Sequence, residues 1–431
     1  MKQADSRDSR VFAVLFLSIT LSSCGPGEET PPALAASDGT NPGGQTPGTP
    51  GSGSETDGGV PAGQLAALNG DVTDLALHPD GDILVAGSFT TYGGQPVPHV
   101  IKIRPDGSLA AWTLGVTLMN DFPVETAVAP DGKVWVTQRQ AGAAKLWRVN
   151  ANGSLDSGFP PVEFLFDEPA NGGLIFSEVF QLEPIGNGVY AAGTFTKVNG
   201  DLRRGIVRIL ETGQLDRGFN AEIGSGYRVA LSPDGTIYVT NYERLDISVV
   251  GSQVLYRLNA NGSRVGAFTP VNVYTVGFNA RIFALAHVSD GTNDVLNGGR
   301  FVLDYSGSVN PLFDPTAFHN LARINPDGSR DHEQPRPRLG NDSRDTPEVL
   351  AIAKTVDGTG DFLLTAGGVR RFQADGKPAA GFQIGQVNEF ARADKLLCLP
   401  DGDTIVGGTF TAYNGTSRGH IVRIHRDGSQ N

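Results

Sequence analysis

From about residue 63 onward the chain is a succession of short apolar runs separated by Asp-Gly and Asn-Gly pairs. In Ile83-Leu84-Val85-Ala86 and Val134-Trp135-Val136 neighbouring residues are all apolar. A strand with one wet face would alternate polar with apolar residues, and a helix would show a 3.6-residue period. Neither pattern is present, which predicts strands covered on both faces. The runs recur in a fixed order: strand, glycine turn, strand, loop, strand, second glycine turn, and a short segment ending near Phe-Asn. The clearest copy reads LALHPDGDILVAGSFTTYGG and then HVIKIRPDGSL. Its first turn returns around Gly132, Gly188, Gly235, Gly291, Gly358 and Gly402. Its second, at Gly107, returns around Gly153, Gly213, Gly262, Gly328, Gly376 and Gly428.

Seven copies of roughly 45 to 65 residues each match the size of a four-stranded propeller blade. The fold predicted is all-β, a seven-bladed β-propeller over residues 63–431. The motifs Leu399-Pro400-Asp401-Gly402, Gly407-Gly408-Thr409-Phe410-Thr411 and Tyr413-Asn414-Gly415 resemble the delta-60 repeat of bacterial β-propellers, a resemblance that implies the fold and no particular chemistry. Copies centred on Gly132, Gly235 and Gly358 depart from it, with TQRQ, TNYE and AGGV where the others have GSFT, GTFT or GRFV. Ring closure is expected from the ends. Gly63-Gln64-Leu65 looks like Gly213-Gln214-Leu215, which predicts that the N-terminal strand completes the last blade, with Leu65 and Leu68 standing where Leu215 and Phe219 stand.

Ahead of the repeats the pattern changes twice. Val11 to Leu21 is an apolar run of signal-peptide length, preceded by Lys2, Arg7 and Arg10. Leu21-Ser22-Ser23-Cys24 resembles the lipobox of bacterial lipoproteins, which implies a signal peptide over 1–23 and a lipid on Cys24. Gly25, rather than Asp, follows the cysteine, so the resemblance favours the outer membrane of a cell envelope. Residues 24–62 carry the lipidated cysteine and then a stretch rich in Pro, Gly, Ser and Thr, too poor in apolar residues to bury a core, and are expected to be a disordered tether. The formal net charge of −12 argues against nucleic acid or anionic headgroups as partners, leaving membrane attachment to the acyl chains. A monomer is expected. Cys398, the only other cysteine, lies between apolar residues and reads as a small buried hydrophobe.

Candidate chemistry is sparse. Five residues before each second-turn glycine stands a cation: Lys102, Arg148, Arg208, Arg257, Arg323, Arg371 and Arg423. A column present in every copy predicts a structural role, pairing with turn carbonyls or a nearby Asp. His99 and His420 occupy equal places in the first and last copies but lack the spacing of a metal site. The Asp-rich runs at 290–294 and 357–361 fall where turns want Asp and Gly for backbone reasons. An enlarged loop at 303–320 carries Tyr305, Phe313 and Phe318, candidates for contact with a partner, and 160–176 reads as a second insertion of the same kind. Two function classes follow. The preferred one is a non-enzymatic, envelope-anchored binding or interaction module for a protein or glycan, with no cofactor or metal. The alternative is a periplasmic metal-dependent hydrolase or lactonase, with Glu125, Glu178 and Glu348 near the innermost strands as ligands.

Overall fold

The computed structural model describes residues 64–119, 124–140, 142–167, 177–221, 223–241, 253–273, 281–288, 291–303, 318–331 and 347–430. The chain divides into two units, Met1–Asp57 and Gly58–Asn431, and every described residue belongs to the second. Cys24, the tether, Tyr305 and Phe313 lie outside the described residues.

The described residues are all-β and hold no helix. They form seven antiparallel meanders, each beginning with a strand that packs against the first strand of its neighbours. These first strands are Val72–Leu77, Val124–Val128, Glu178–Ile185, Gly226–Leu231, Arg281–His287, Ile352–Lys354 and Ala393–Cys398. Each packs against the next in this order, and Ala393–Cys398 packs against Val72–Leu77. The second strand of each meander carries the apolar runs of the sequence. Ile83–Gly87 is buried along its whole length, and its side chains divide between two cores. Ile83 and Val85 join a cluster with Ile405 and Ile421 of the last sheet, while Leu84 and Ala86 join Val124, Val134 and Val136 of the second. Because successive side chains leave a strand on opposite faces, a sheet wedged between two others needs apolar residues at every position. That is why alternation is missing from the sequence. Cys398 is buried in the cluster shared by the last two sheets, and burial pushes its thiol up.

Three sheets carry a short extra hairpin between their second and third strands: Thr91–Tyr92 with Gln95–Pro96, Lys197–Val198 with Asp201–Leu202, and Ala412–Tyr413 with Thr416–Ser417. Each grips the outer segment contributed by the preceding sheet. Lys197–Val198 pairs with Val162–Leu165, Tyr413 bridges Val387, and Tyr92 bridges Leu68. Val162–Leu165 is itself paired with Ala143–Val149, so the first part of the expected 160–176 insertion is a fourth strand. Phe164 is fully buried there, its ring centroid 5.0 Å from that of Phe195.

The N-terminal segment meets the last sheet. The Leu68 amide donates to the Gly419 carbonyl at 3.0 Å, and the Gly93 amide donates to the Ala67 carbonyl at 2.8 Å. The register differs from the one expected from Gly63-Gln64-Leu65. Gln430, not Leu65, takes the place of Leu215, since Ile424 bridges Gln430 as Ile209 bridges Leu215. Gln64 instead matches Gln383 and Thr269, whose carbonyls press against Gly428 and Gly328 as that of Gln64 presses against Gly107. Leu65 and Leu68 are buried all the same. The Gly-Gln-Leu likeness misled because Leu68 is held by its bonds to Gly419 and Tyr92, and those fix the register from the other end.

Candidate functional site

The seven cations of the repeat column resolve into ion pairs with aspartates. Arg371 meets Asp357 at 2.7 Å and Asp361 at 2.9 Å, and Arg423 meets Asp401 at 2.6 Å and Asp403 at 2.8 Å. Lys102 pairs with Asp80 and Asp82, Arg257 with Asp234, and Arg323 with Asp294. Arg148 and Arg208 instead take Asp156 and Asp216, which follow the second turn. A buried guanidinium without a counter-ion would cost several kcal/mol, so each sheet supplies a carboxylate from one side of the cation or the other. The Asp-rich turns are therefore counter-ions: Arg371 and neighbouring hydrogen-bond donors overcome burial and hold the Asp357 carboxyl far below the usual range. His99 and His420 share a backbone role, their carbonyls accepting from Gly87 and Gly408. Among the described residues no group of three His, Cys, Asp or Glu side chains could hold a metal ion.

The first strands converge on two cavities of about 330 and 380 Å³ that share Glu125, Phe180, Arg228 and Lys395. One extends toward the ends of the first strands, past Leu77, Val128 and Pro184. The other opens toward their beginnings and is lined by residues associated with all seven sheets, among them Thr73, Glu125, Phe180, Tyr227, Phe283, Leu350 and Asp394. Register shifts in five first strands build this lining. They fall between Val72 and Asp74, Val179 and Gln181, Gly226 and Val229, Ile282 and Ala284, and Ala393 and Lys395. A bulge gives a strand an extra residue and re-aims its side chain, and the residues so displaced are Thr73, Phe180, Tyr227 with Arg228, Phe283 and Asp394. Their carbonyls are used across sheets: Arg228 donates to the Phe180 carbonyl at 2.8 Å and to that of Phe283 at 2.6 Å.

At the waist between the cavities the Lys395 ammonium stands 3.3 Å from Asp74 and 3.5 Å from Glu125. Asp74 also accepts from the Thr126 amide at 2.7 Å and hydroxyl at 2.8 Å. Burial pushes the Glu125 carboxyl up to about 7 against the pull of Lys395. Although burial works against its charge, Glu125 and Asp74 hold the Lys395 ammonium above its ordinary value. Burial likewise raises Glu178 and Asp394. Glu183, which accepts from the Gln181 amide at 3.2 Å, is pushed up to about 7 by burial.

Of the three glutamates named from the sequence, Glu125 and Glu178 line the wider cavity. Glu348 does not join them and pairs with Arg300 at 2.9 Å. Phe318 begins the strand Phe318–Ile324, its backbone paired with Leu303. The sequence pattern alone does not single out Arg228 and Tyr227, whereas the strands of Asp74 and Lys395 carry a signal shared with two others. Val72-Thr73-Asp74-Leu75, Val179-Phe180-Gln181-Leu182, Ile282-Phe283-Ala284-Leu285 and Ala393-Asp394-Lys395-Leu396 all place two residues between an apolar residue and a leucine.

Four segments, 78–109, 129–159, 187–219 and 399–431, match the family model described as domain of unknown function (DUF5122) beta-propeller. The repeat is a β-propeller repeat. No curated protein matches the chain. Among solved structures, that of U3-55K is similar over 83% of this chain and 96% of its own, at 12% identity and a TM-score of 0.44. The Dos1 propeller is similar over 83% of each chain, at 11% and 0.45. A prolyl endopeptidase is similar over 85% of this chain and 50% of its own, at 14% and 0.48. None of the three bears on what this chain binds.

Proposed function

We propose that the chain is a closed seven-bladed β-propeller that works as a binding or interaction module, carried on a bacterial envelope membrane by a lipid on Cys24. Closure is supported by the packing of Ala393–Cys398 against Val72–Leu77 and by the Leu68 bond to Gly419. The observation that carries the binding reading is the state of the central carboxylates. In a metal-dependent hydrolase Asp74 and Glu125 would face a cation site, but the Lys395 ammonium stands between them, and Glu348 is engaged elsewhere with Arg300. What remains is a cavity of size suited to a small ligand or the tip of a larger one, since such pockets span roughly 300–1,000 Å³. The lipid supplies location, with Gly25 after the cysteine favouring the outer membrane, and the propeller supplies recognition.

The test has two arms. In cells fed a fatty-acid analogue, the parent chain should be labelled and sediment with membranes, while Cys24→Ala should be unlabelled and released with its melting temperature unchanged. Label persisting on Cys24→Ala would overturn the anchor. The purified full chain should bind ligands and return them unaltered; a stoichiometric divalent metal together with turnover of an ester or lactone would overturn the binding reading.

A further inference from the structure

Phe390 is 96% exposed and has a backbone φ of 63°. Either property is uncommon for a large aromatic residue, and together they mark a position where neither packing nor backbone preference explains the side chain. Its place in the fold is defined by comparison with the first sheet. There Asn69 Oδ1 accepts from the amides of Thr90 and Thr91 at 2.8 and 2.9 Å, and Asp71 follows after Gly70 alone. In the last sheet Asn388 Oδ1 accepts from Thr411 and Ala412 at 2.9 and 3.0 Å. Arg392 then repeats the bonding of Asp71: its carbonyl accepts from the Thr409 amide as that of Asp71 accepts from Ser88, each at 2.9 Å. Between Asn388 and Arg392 stand Glu389, Phe390 and Ala391, two residues more than the first sheet uses. They close a turn through the Ala391 amide and the Asn388 carbonyl at 3.1 Å. Phe390 occupies its third position, where a positive φ ordinarily selects Gly or Asn.

This insertion leads directly into the wider cavity, whose lining includes Arg392, Asp394 and Lys395. The charged residues of that lining balance, with Asp71, Glu125, Glu178 and Asp394 against Arg228, Arg281, Arg392 and Lys395. Arg392 and Asp394 pair at 3.2 Å, presenting donors and an acceptor side by side. A charged ligand would leave one sign unmatched. An uncharged ligand rich in hydroxyls uses both, since each hydroxyl donates and accepts. The aromatic residues Phe180, Tyr227 and Phe283 line the same cavity and give it apolar surface, with Arg228 over the Tyr227 ring at 4.3 Å and Phe180 against it edge-on at 5.1 Å. We propose that this cavity, with the Arg392–Asp394 pair in its wall and the exposed Phe390 two residues ahead of Arg392 in the chain, binds the end of an uncharged polysaccharide chain. The inference rests on the reading of the chain as a binding module and names its ligand class and contact residue.

Isothermal titration of the full-length chain in detergent with maltotetraose, cellotetraose, xylotetraose and mannotetraose, and with trigalacturonate and a tetrapeptide as charged and peptidic probes, tests it. At least one uncharged oligosaccharide should bind. Phe390→Gly should weaken that binding at least tenfold while melting at the same or a higher temperature, because glycine suits the positive φ. Phe390→Trp should retain it. Failure of all four uncharged probes to bind, stronger binding of the acidic sugar or the peptide, or parental affinity in Phe390→Gly would overturn the proposal. Cleavage of a bound oligosaccharide with the same dependence on Phe390 would support this site and overturn the binding-module reading instead.

Discussion

Glu183 and Arg371 show two treatments of buried charge. Arg371 is 7% exposed and meets two carboxylates, so the folded state favours its charged form. Glu183 has the Gln181 amide at 3.2 Å, and burial lifts it from 4.5 to about 7. A carboxyl raised in the folded state binds its proton more tightly there than in the unfolded chain. Its contribution to stability is therefore complete below the unfolded value and is lost as pH rises from 4.5 to about 7. Glu183→Gln, which stays neutral throughout, should melt at a higher temperature than the parent at pH 8, by a free energy on the order of 3 kcal/mol, and close to the parent at pH 4.5. Thermal melts of both chains across that range check it, and an equal gap at the two pH values would contradict the assignment. The cation column was legible because every copy repeats it. The counter-ions were only half legible, because Asp156 and Asp216 replace turn aspartates from a different place in the repeat. Glu183 carried no signal, since one glutamate in an apolar strand looks the same whether its carboxyl is wet or dry.

At the scale of elements, alternation of full and degenerate copies acquires a physical basis. Among the described residues the extra hairpin occurs in the first, third and seventh copies, which keep the GSFT, GTFT pattern; residues 304–317 of the fifth lie outside them. In the second copy Val134–Gln140 turns straight into Ala143–Val149, and its outer strand is held by the hairpin of the third. A hairpin-bearing sheet thus grips the sheet before it. The second-turn glycines make the other connection between sheets, which sequence reading had treated as turn chemistry alone. Gly428 has a φ of 85°, and a Cβ there would collide with the Gln383 carbonyl of the preceding outer segment. Gly428→Ala therefore combines left-handed strain, about 1–2 kcal/mol, with a clash against backbone that cannot rotate away. It should lower the melting temperature clearly, whereas Gly235→Ala, at a φ of 80° but with open space around the position, should show the backbone cost alone. Equal losses in the two variants would remove the proposed role of Gly428 in joining sheets. The bulges that build the cavity were hidden, because one or two extra residues hardly alter the length or composition of a strand, and in four of the five strands they show only in the apolar-x-x-Leu spacing.

For the whole molecule, the repeats foretold an all-β chain of successive antiparallel sheets, because each copy carries its own turns and each apolar run requires a neighbour on both faces. The N-terminal segment meets the last sheet in a register other than the one expected from Gly63-Gln64-Leu65. Residues Leu65, Ala66 and Leu68 belong to one apolar cluster with Ile83, Val85 and Tyr92 of the first sheet and Leu399, Ile405 and Ile421 of the last. The Ala66 amide donates to the Tyr92 hydroxyl at 3.1 Å, and that hydroxyl donates to the Gly107 carbonyl at 2.7 Å. Removing residues 1–71 would strip this segment from between the two sheets. It would expose the Gly419 carbonyl and the adjoining strand Ile421–Ile424, and leave the apolar side chains facing it without neighbours. Burial of a leucine contributes roughly 1.5–3 kcal/mol, so loss of Leu65 and Leu68 together should cost several kcal/mol and lower the melting temperature by many degrees. Removing residues 1–62 spares every one of these contacts and should leave melting near that of the full chain. Within the segment, Leu68→Ala in the full chain should reproduce only the side-chain part of the loss, because the variant keeps the backbone amide bond to Gly419 and loses the packing of Leu68 in the cluster shared by the first and last sheets. Differential scanning calorimetry of the three chains decides the matter, and equal melting of the 1–62 and 1–71 deletions would show that the joint contributes nothing to the stability of the ring.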